Sequence, residues 1–161
     1  MSISEREETA SGNFQKGYNC CQSVLLAFKD LIGLDDGPIL KIASGMGGGM
    51  ARMREVCGCV TAMGILAGFI SPAVNPGKMD ERTANYALVQ HLAARFREKN
   101  GSIICRELLN LGAGTAGTES PRPSDRTEQY YKKRPCGMLC GDAAGIVARY
   151  IDENNLIIKK A

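Results

Sequence analysis

The chain has 161 residues, enough for one filled core, and its length does not call for a second. Hydrophobic residues at 44% and charged residues at 23% sit near the globular average, which excludes wholesale disorder and fibrous repeats. The formal charge of +3 (20 Lys and Arg against 17 Asp and Glu) is too small to demand a polyanionic partner, so no nucleic acid is expected. The basic group at Lys132, Lys133 and Arg134 lacks aromatic neighbours in an RNA-binding pattern and reads as a solvated loop.

Residues 1–8 hold three acids and one base, without the basic and apolar regions of a secretory signal. The longest apolar stretch, residues 60–70, is well short of the roughly 20 residues of a membrane helix. A cytoplasmic protein without membrane insertion is therefore expected. In such a reducing setting the seven cysteines point to metal ligands or redox thiols rather than structural disulfides.

In chain order, residues 4–16 predict a surface helix, with Ser4 and Glu7 spaced as a capping box. Asn19 is a suitable N-cap for one helix over residues 20–32, whose apolar stripe is Val24, Leu25, Phe28, Leu31 and Ile32, stopped by Gly33. A short helix over 39–43 runs into the glycine-rich segment 45–50, which is expected to be a loop. Residues 56–69 predict a central apolar helix whose Ala/Gly face would admit a cofactor, or a second copy of the chain in a homodimer.

A long helix follows from Asp80 as cap to Lys99, with Ala84, Ala87, Leu88, His91, Leu92 and Phe96 inward. After a helical turn at 105–111, residues 112–127 are rich in Gly, Ser, Thr and Pro and read as an exposed loop. The last helix spans 136–154, with Leu139, Ala143, Ile146, Val147, Tyr150 and Ile151 inward. No strand pattern appears. The expectation is an all-α fold: a compact single-domain bundle of five to six helices over 1–161, with mobile segments at 1–13 and 112–130.

Cys20, Cys57, Cys105 and Cys136 each fall at the start of a predicted helical segment. Free N–H groups and the positive dipole end there stabilise a thiolate, which suits nucleophiles and metal ligands. These four are the candidate catalytic and metal-binding residues. Gly47, Gly48, Gly49 and Cys59 are candidates to lie against a cofactor, since glycine lets main chain approach a sulfur or its ligand. Cys59 could chelate or pack, Cys21 is undecided, and Cys140, between apolar positions, reads as core. His91 reads as a core histidine, and the Met residues at 46, 50, 53 and 63 as core filling. There is no Cys-x-x-Cys, no Cys-x-x-Cys-His for haem, no His-Glu-x-x-His, and the glycine run has neither the lysine nor the preceding strand of a nucleotide-binding turn.

The blocks Gly17-Tyr18-Asn19-Cys20, Glu55-Val56-Cys57-Gly58, Cys105-Arg106-Glu107-Leu108, and Cys136 followed by Asp142-Ala143-Ala144 resemble the C_GCAxxG_C_C family of redox-active proteins. The resemblance runs from about residue 14 to 151 and implies a helical protein with four characteristic cysteines, here Cys20, Cys57, Cys105 and Cys136. The family's Cys-Gly-Ala-x-x-Gly segment reads Cys57-Gly58-Cys59-Val60-Thr61-Ala62 here, so the functional sulfur is Cys57 or Cys59. Three functions are open. The first is a redox protein whose thiolates hold an iron–sulfur cluster or other metal for electron transfer with a redox partner protein or small-molecule donor. The second is a metal-free thiol/disulfide oxidoreductase, and the third a zinc-stabilised helical module without turnover.

Overall fold

The computed structural model describes residues 1–112 and 119–156. Within them the protein is all-α. Among the described residues there are nine helices: α1 (Ile3–Gln15), α2 (Cys20–Leu26), α3 (Lys29–Ile32), α4 (Asp36–Ile42), α5 (Gly58–Ile70), α6 (Met79–Asn100), α7 (Cys105–Leu108), α8 (Glu128–Lys133) and α9 (Cys136–Glu153). A 3-10 turn, Ser44–Met46, follows α4, and the β-structure among the described residues is one antiparallel bridge, Val56 to Ile104. The count exceeds the expected five to six because several short helices of four to seven residues join the long ones.

α5 and α9 form the centre, with α1 and α2 packed against α9 and α6 along one side of α5 and α9. α9 can take α1 so closely because Gly137, Gly141 and Gly145 recur every four residues and make a smooth stripe on one face. A Cβ on Gly141 would stand 2.7 Å from Ser11 Oγ and 3.3 Å from the Glu7 carbonyl oxygen. Ser11 Oγ donates to the Gly137 carbonyl (2.8 Å), and Arg149 pairs with Glu7 (3.1 Å). The same i, i+4 spacing sets Cys136 and Cys140 one turn apart along the helix.

The residues expected to be a mobile start, 1–13, hold most of α1. Its capping box uses Ser2 and Glu5 rather than Ser4 and Glu7: the Glu5 N–H donates to Ser2 Oγ (3.2 Å) and the Ser2 N–H to Glu5 Oε2 (2.6 Å). Of the expected loop at 112–130, residues 113–118 lie outside the described residues.

The single helix expected over 20–32 is two. Arg6 interrupts it: this residue is 2% exposed, and its side chain donates to the Ala27 carbonyl (2.6 Å), grips both Asp30 oxygens (2.9 and 2.7 Å) and lies 4.3 Å above the Phe28 ring. The carbonyl that would continue α2 is thus taken by a guanidinium, and the chain restarts at α3. The strength of a bidentate charged pair explains why a tertiary contact overrides the helical pattern.

α6 has a narrower inner face than expected. Leu88, Leu92 and Phe96 are buried, but Ala84, Ala87 and His91 are exposed, because only one edge of the helix meets the core. Lys78, not Asp80, stands at its N-cap position, without a side-chain cap bond. The basic segment read as loop forms α8, where Thr127 accepts from the Tyr130 N–H (3.2 Å) and Tyr130 and Tyr131 pack on buried Phe14. Among the described residues no helix is long and apolar enough to cross a membrane.

The α1–α9 contact yields a direct test. Gly141→Ala should lower unfolding stability by about 1–3 kcal/mol through overpacking, and adding Ser11→Ala should recover part of that loss in urea titrations. Equal stability of the two variants would show that Ser11 is not what the new methyl group meets.

Candidate functional site

The seven cysteines are unpaired, and six are buried, with Cys20 only partly so. The junction that gathers them is built from helix starts. Asn19 caps α2, accepting from the Gln22 N–H (2.9 Å) while Gln22 Oε1 accepts from the Asn19 N–H (3.0 Å), which leaves Cys20 as the first helical residue. Cys57 is the N-cap of α5, one residue before the helix rather than inside it as expected, and Cys136 opens α9. Cys59 sits in the first turn of α5, and Cys140 one turn into α9.

Cys20, Cys59 and Cys140 bring their sulfurs within 4.8 Å of one another. The Cys59 and Cys140 sulfurs are 3.6 Å apart, and Cys140 Sγ lies 3.8 Å from the Cys20 carbonyl oxygen, to which it donates. Cys136 also reaches the Cys20 sulfur, and Cys57 reaches that of Cys59, so five thiols form one connected group. Of the four sequence candidates, Cys20 lies within the tight trio, and Cys136 and Cys57 lie near enough to act on its Cys20 and Cys59 thiols. Cys105 stands against Arg54, whose Nη1 is 3.8 Å from its sulfur. Cys140, read from the sequence as a core residue, is both fully buried and a member of the trio. Its i, i+4 spacing from Cys136 was the available signal, but that spacing suits packing equally well.

Burial alone disfavours thiolates, yet here one negative charge is sheltered by its neighbours. Hydrogen bonding from Cys136, then from Cys140 and Cys59, with help from the Arg126 cation, holds the Cys20 thiol well below the usual range. The partners move the other way. Cys136 is pushed up chiefly because it donates to Cys20, Cys59 because it bonds Cys140, and Cys140 because of burial. Cys20, Cys59, Cys136 and Cys140 therefore titrate as a unit, with charge centred on Cys20. Cys21 points into the core, where burial first and Cys20 second push it to about 12. Cys105 is also raised by burial, against the opposing pull of Arg54.

The glycine segment borders this group. A Cβ on Gly47 would stand 2.6 Å from Asn19 Cβ, and one on Gly49 would stand 2.6 Å from Cys105 Cβ. From Gly48 the backbone turns left-handed, with φ of 63° at Gly48, 66° at Gly49, 64° at Met50, 45° at Ala51 and 69° at Arg52, and 62° at Arg54. Each non-glycine residue there costs about 1–2 kcal/mol. The turn is fastened by main-chain bonds such as Glu55 N–H to the Gly49 carbonyl (3.0 Å). Side chains fasten it too: Arg54, 3% exposed, forks onto Glu119 (2.9 and 2.6 Å), and Arg52 pairs with the same carboxylate (2.9 Å). Met50 and Met53 are exposed, not core-filling, while Met63 is buried.

Soft thiolates in this number suit a thiophilic metal. A tetrahedral ion with metal–sulfur bonds of about 2.3 Å needs sulfurs about 3.8 Å apart. The 3.6 Å pair meets that, and the trio's 4.8 Å limit asks for a small contraction. Cys20, Cys59 and Cys140 could hold a metal ion, and Cys136 or Cys57 is placed to supply a fourth sulfur.

Fold and site together define a helical protein with a buried thiol cluster. A family model described as "Putative redox-active protein (C_GCAxxG_C_C)" matches residues 18–150, and the chain belongs to that family. The family's pattern places a glycine before its second cysteine, and Gly58-Cys59 meets this, with Val60 for the alanine and Met63 for the closing glycine. No curated protein and no solved structure matches the chain.

The electrostatics predict an order of reactivity. In the native protein freed of metal, iodoacetamide should modify Cys20 first, at a pH below that needed for a free thiol, whereas Cys21 should react only on unfolding. Peptide mass spectrometry over a pH series reads this, and Cys21 labelling at the rate of Cys20 would contradict it.

Proposed function

We propose that this protein is an electron-transfer protein of the cytoplasm whose clustered thiolates hold a metal or iron–sulfur centre. The observation that carries this reading is the convergence of the Cys20, Cys59 and Cys140 sulfurs within 4.8 Å, with two further cysteines in reach. Four sulfur ligands are what [2Fe–2S] and [4Fe–4S] centres require, and the group offers five. A bound centre would supply one-electron chemistry. The protein would supply charge compensation at the helix starts and exclusion of water. Its counterpart would be a redox protein or a small-molecule electron donor.

A second reading has its own support. At 3.6 Å, Cys59 and Cys140 need only a modest approach to form a disulfide, whose S–S bond is about 2.05 Å. A metal-free thiol/disulfide couple would use that pair, with the two electrons and two protons passing to an acceptor disulfide. Anaerobic purification followed by metal and sulfide analysis, a visible spectrum and thiol counting separates the readings. Iron with sulfide supports the first, metal-free protein with a reversible two-electron couple supports the second, and zinc alone overturns both in favour of a structural centre.

Two outcomes follow from the metal reading. Cys59→Ser and Cys140→Ser should each lower metal content by more than half, while Cys21→Ser keeps it. Because the Cys59, Cys136 and Cys140 thiols are raised, protons compete with metal. Retention should therefore fall as pH falls, with protons released on loading. Metal content independent of pH between neutrality and mild acid would count against thiolate ligation.

A further inference from the structure

Beside the sulfur group lies a pair of cations mounted on one aromatic ring. Arg126 and Arg134 both stack on Tyr130, their guanidinium carbons 4.8 and 4.7 Å from the ring centroid. Arg126 also lies 4.6 Å from the centroid of Phe14 and 5.9 Å from that of Tyr131, and it donates to the Tyr18 carbonyl (3.4 Å). Aromatic faces hold guanidiniums in place without neutralising them.

The nearby acids make no direct ion pair with these arginines, although Arg134 acts on Glu119 from a distance. Glu119 is taken by Arg52 and Arg54, and Glu128 by Lys132 (2.5 Å). Asp125 is adjacent in sequence but makes no ion pair with either arginine, and among the described residues neither arginine has an ion-pair partner. The position is specific too. The field of Arg126 reaches the Cys20 sulfur, Arg134 lies two residues before Cys136, and Tyr130 feels both thiols. Cys20 is also the one cysteine of the seven that is only partly buried as a whole residue.

We propose that Arg126 and Arg134, mounted on Tyr130, form a binding site for a small molecule carrying two carboxylates, placed at the mouth of the sulfur group beside Cys20. Planar guanidiniums match carboxylates through paired N–H···O bonds, and their stacking limits the entropy lost on binding. The site's purpose, to seat an anionic electron donor or acceptor, rests on the redox reading above, but carboxylate binding does not.

Calorimetric titration of the anaerobically purified protein with glutarate tests it, with the neutral diamide of glutarate as control. The expected result is saturable glutarate binding, weakened about tenfold or more in Arg126→Gln/Arg134→Gln and kept in Lys132→Gln/Lys133→Gln, with no binding of the diamide. Because Arg126 braces three rings, Arg134→Gln alone serves as a second variant, with circular dichroism to verify the fold. It should weaken binding while leaving helicity unchanged. Absence of saturable binding, or equal weakening by the lysine substitutions, overturns the proposal. Metal, sulfide and spectral measurements on the same preparations judge the redox reading separately.

Discussion

The approach of the start of α5 to the start of α2 at Gly58 is the constraint on which the sulfur group depends. A Cβ there would stand 2.8 Å from the Met46 carbonyl oxygen, 3.1 Å from Cys20 Cβ and 3.1 Å from the Cys21 nitrogen. Only a residue without a side chain lets the two helix starts touch. Once they do, Cys59 faces Cys20 with Cys57 beside it, and α9 brings Cys136 and Cys140 to the same place. The positive ends of α5 and α9 then converge on a volume that excludes water, where their field is weakly screened. A thiolate is tolerated there because its charge is solvated by neighbouring thiols and helix ends in place of water.

That arrangement is framed by costly backbone. The left-handed turn after Gly47 carries four non-glycine residues at positive φ, Met50, Ala51, Arg52 and Arg54. Strain of this kind persists only where surrounding contacts over-determine it. Here Arg52 and Arg54 supply them by fixing the turn to Glu119, and Arg52 adds a bond to the Ser120 carbonyl (2.8 Å). The residues that fasten the strained turn, Glu119 and Ser120, lead along the chain to Arg126 and α8, so the turn and the aromatic platform are tied to one stretch of chain.

Much of this was legible in the sequence. Asn19 as cap, the glycine run, the apolar α5 and the four cysteines at helical starts all follow from local rules, and local rules hold where the chain's near neighbours decide the outcome. What they missed was set by distant partners. Arg6 ends α2 through contacts with Ala27, Phe28 and Asp30, more than 20 residues away in sequence. Tyr130 and Tyr131 gain helical order by packing on Phe14, which composition alone cannot reveal. Cys140 looked like core because it is core: burial and sulfur contact coincide at that position, and only the third dimension distinguishes a thiol that packs from one that faces another thiol.

Cys105 marks the edge of the group and clarifies how it is divided. The bridge between Val56 and Ile104 is closed by the Cys57 N–H to the Ile103 carbonyl (2.9 Å) and the Cys105 N–H to the Glu55 carbonyl (2.7 Å). Residues on either side of a directly opposed pair in an antiparallel ladder share the opposite face, so Cys57 and Cys105 lie on one face as diagonal neighbours. Cys57 thus links two environments. On one side it contacts Cys59 and the trio, where thiols exchange hydrogen bonds among themselves. On the other lies Cys105, whose nearest cation, Arg54, is already committed to Glu119. A charge developing at Cys105 would compete with that carboxylate for Arg54, whereas one at Cys20 meets three thiol donors and the unpaired Arg126. Negative charge is therefore better accommodated at the Cys20 end.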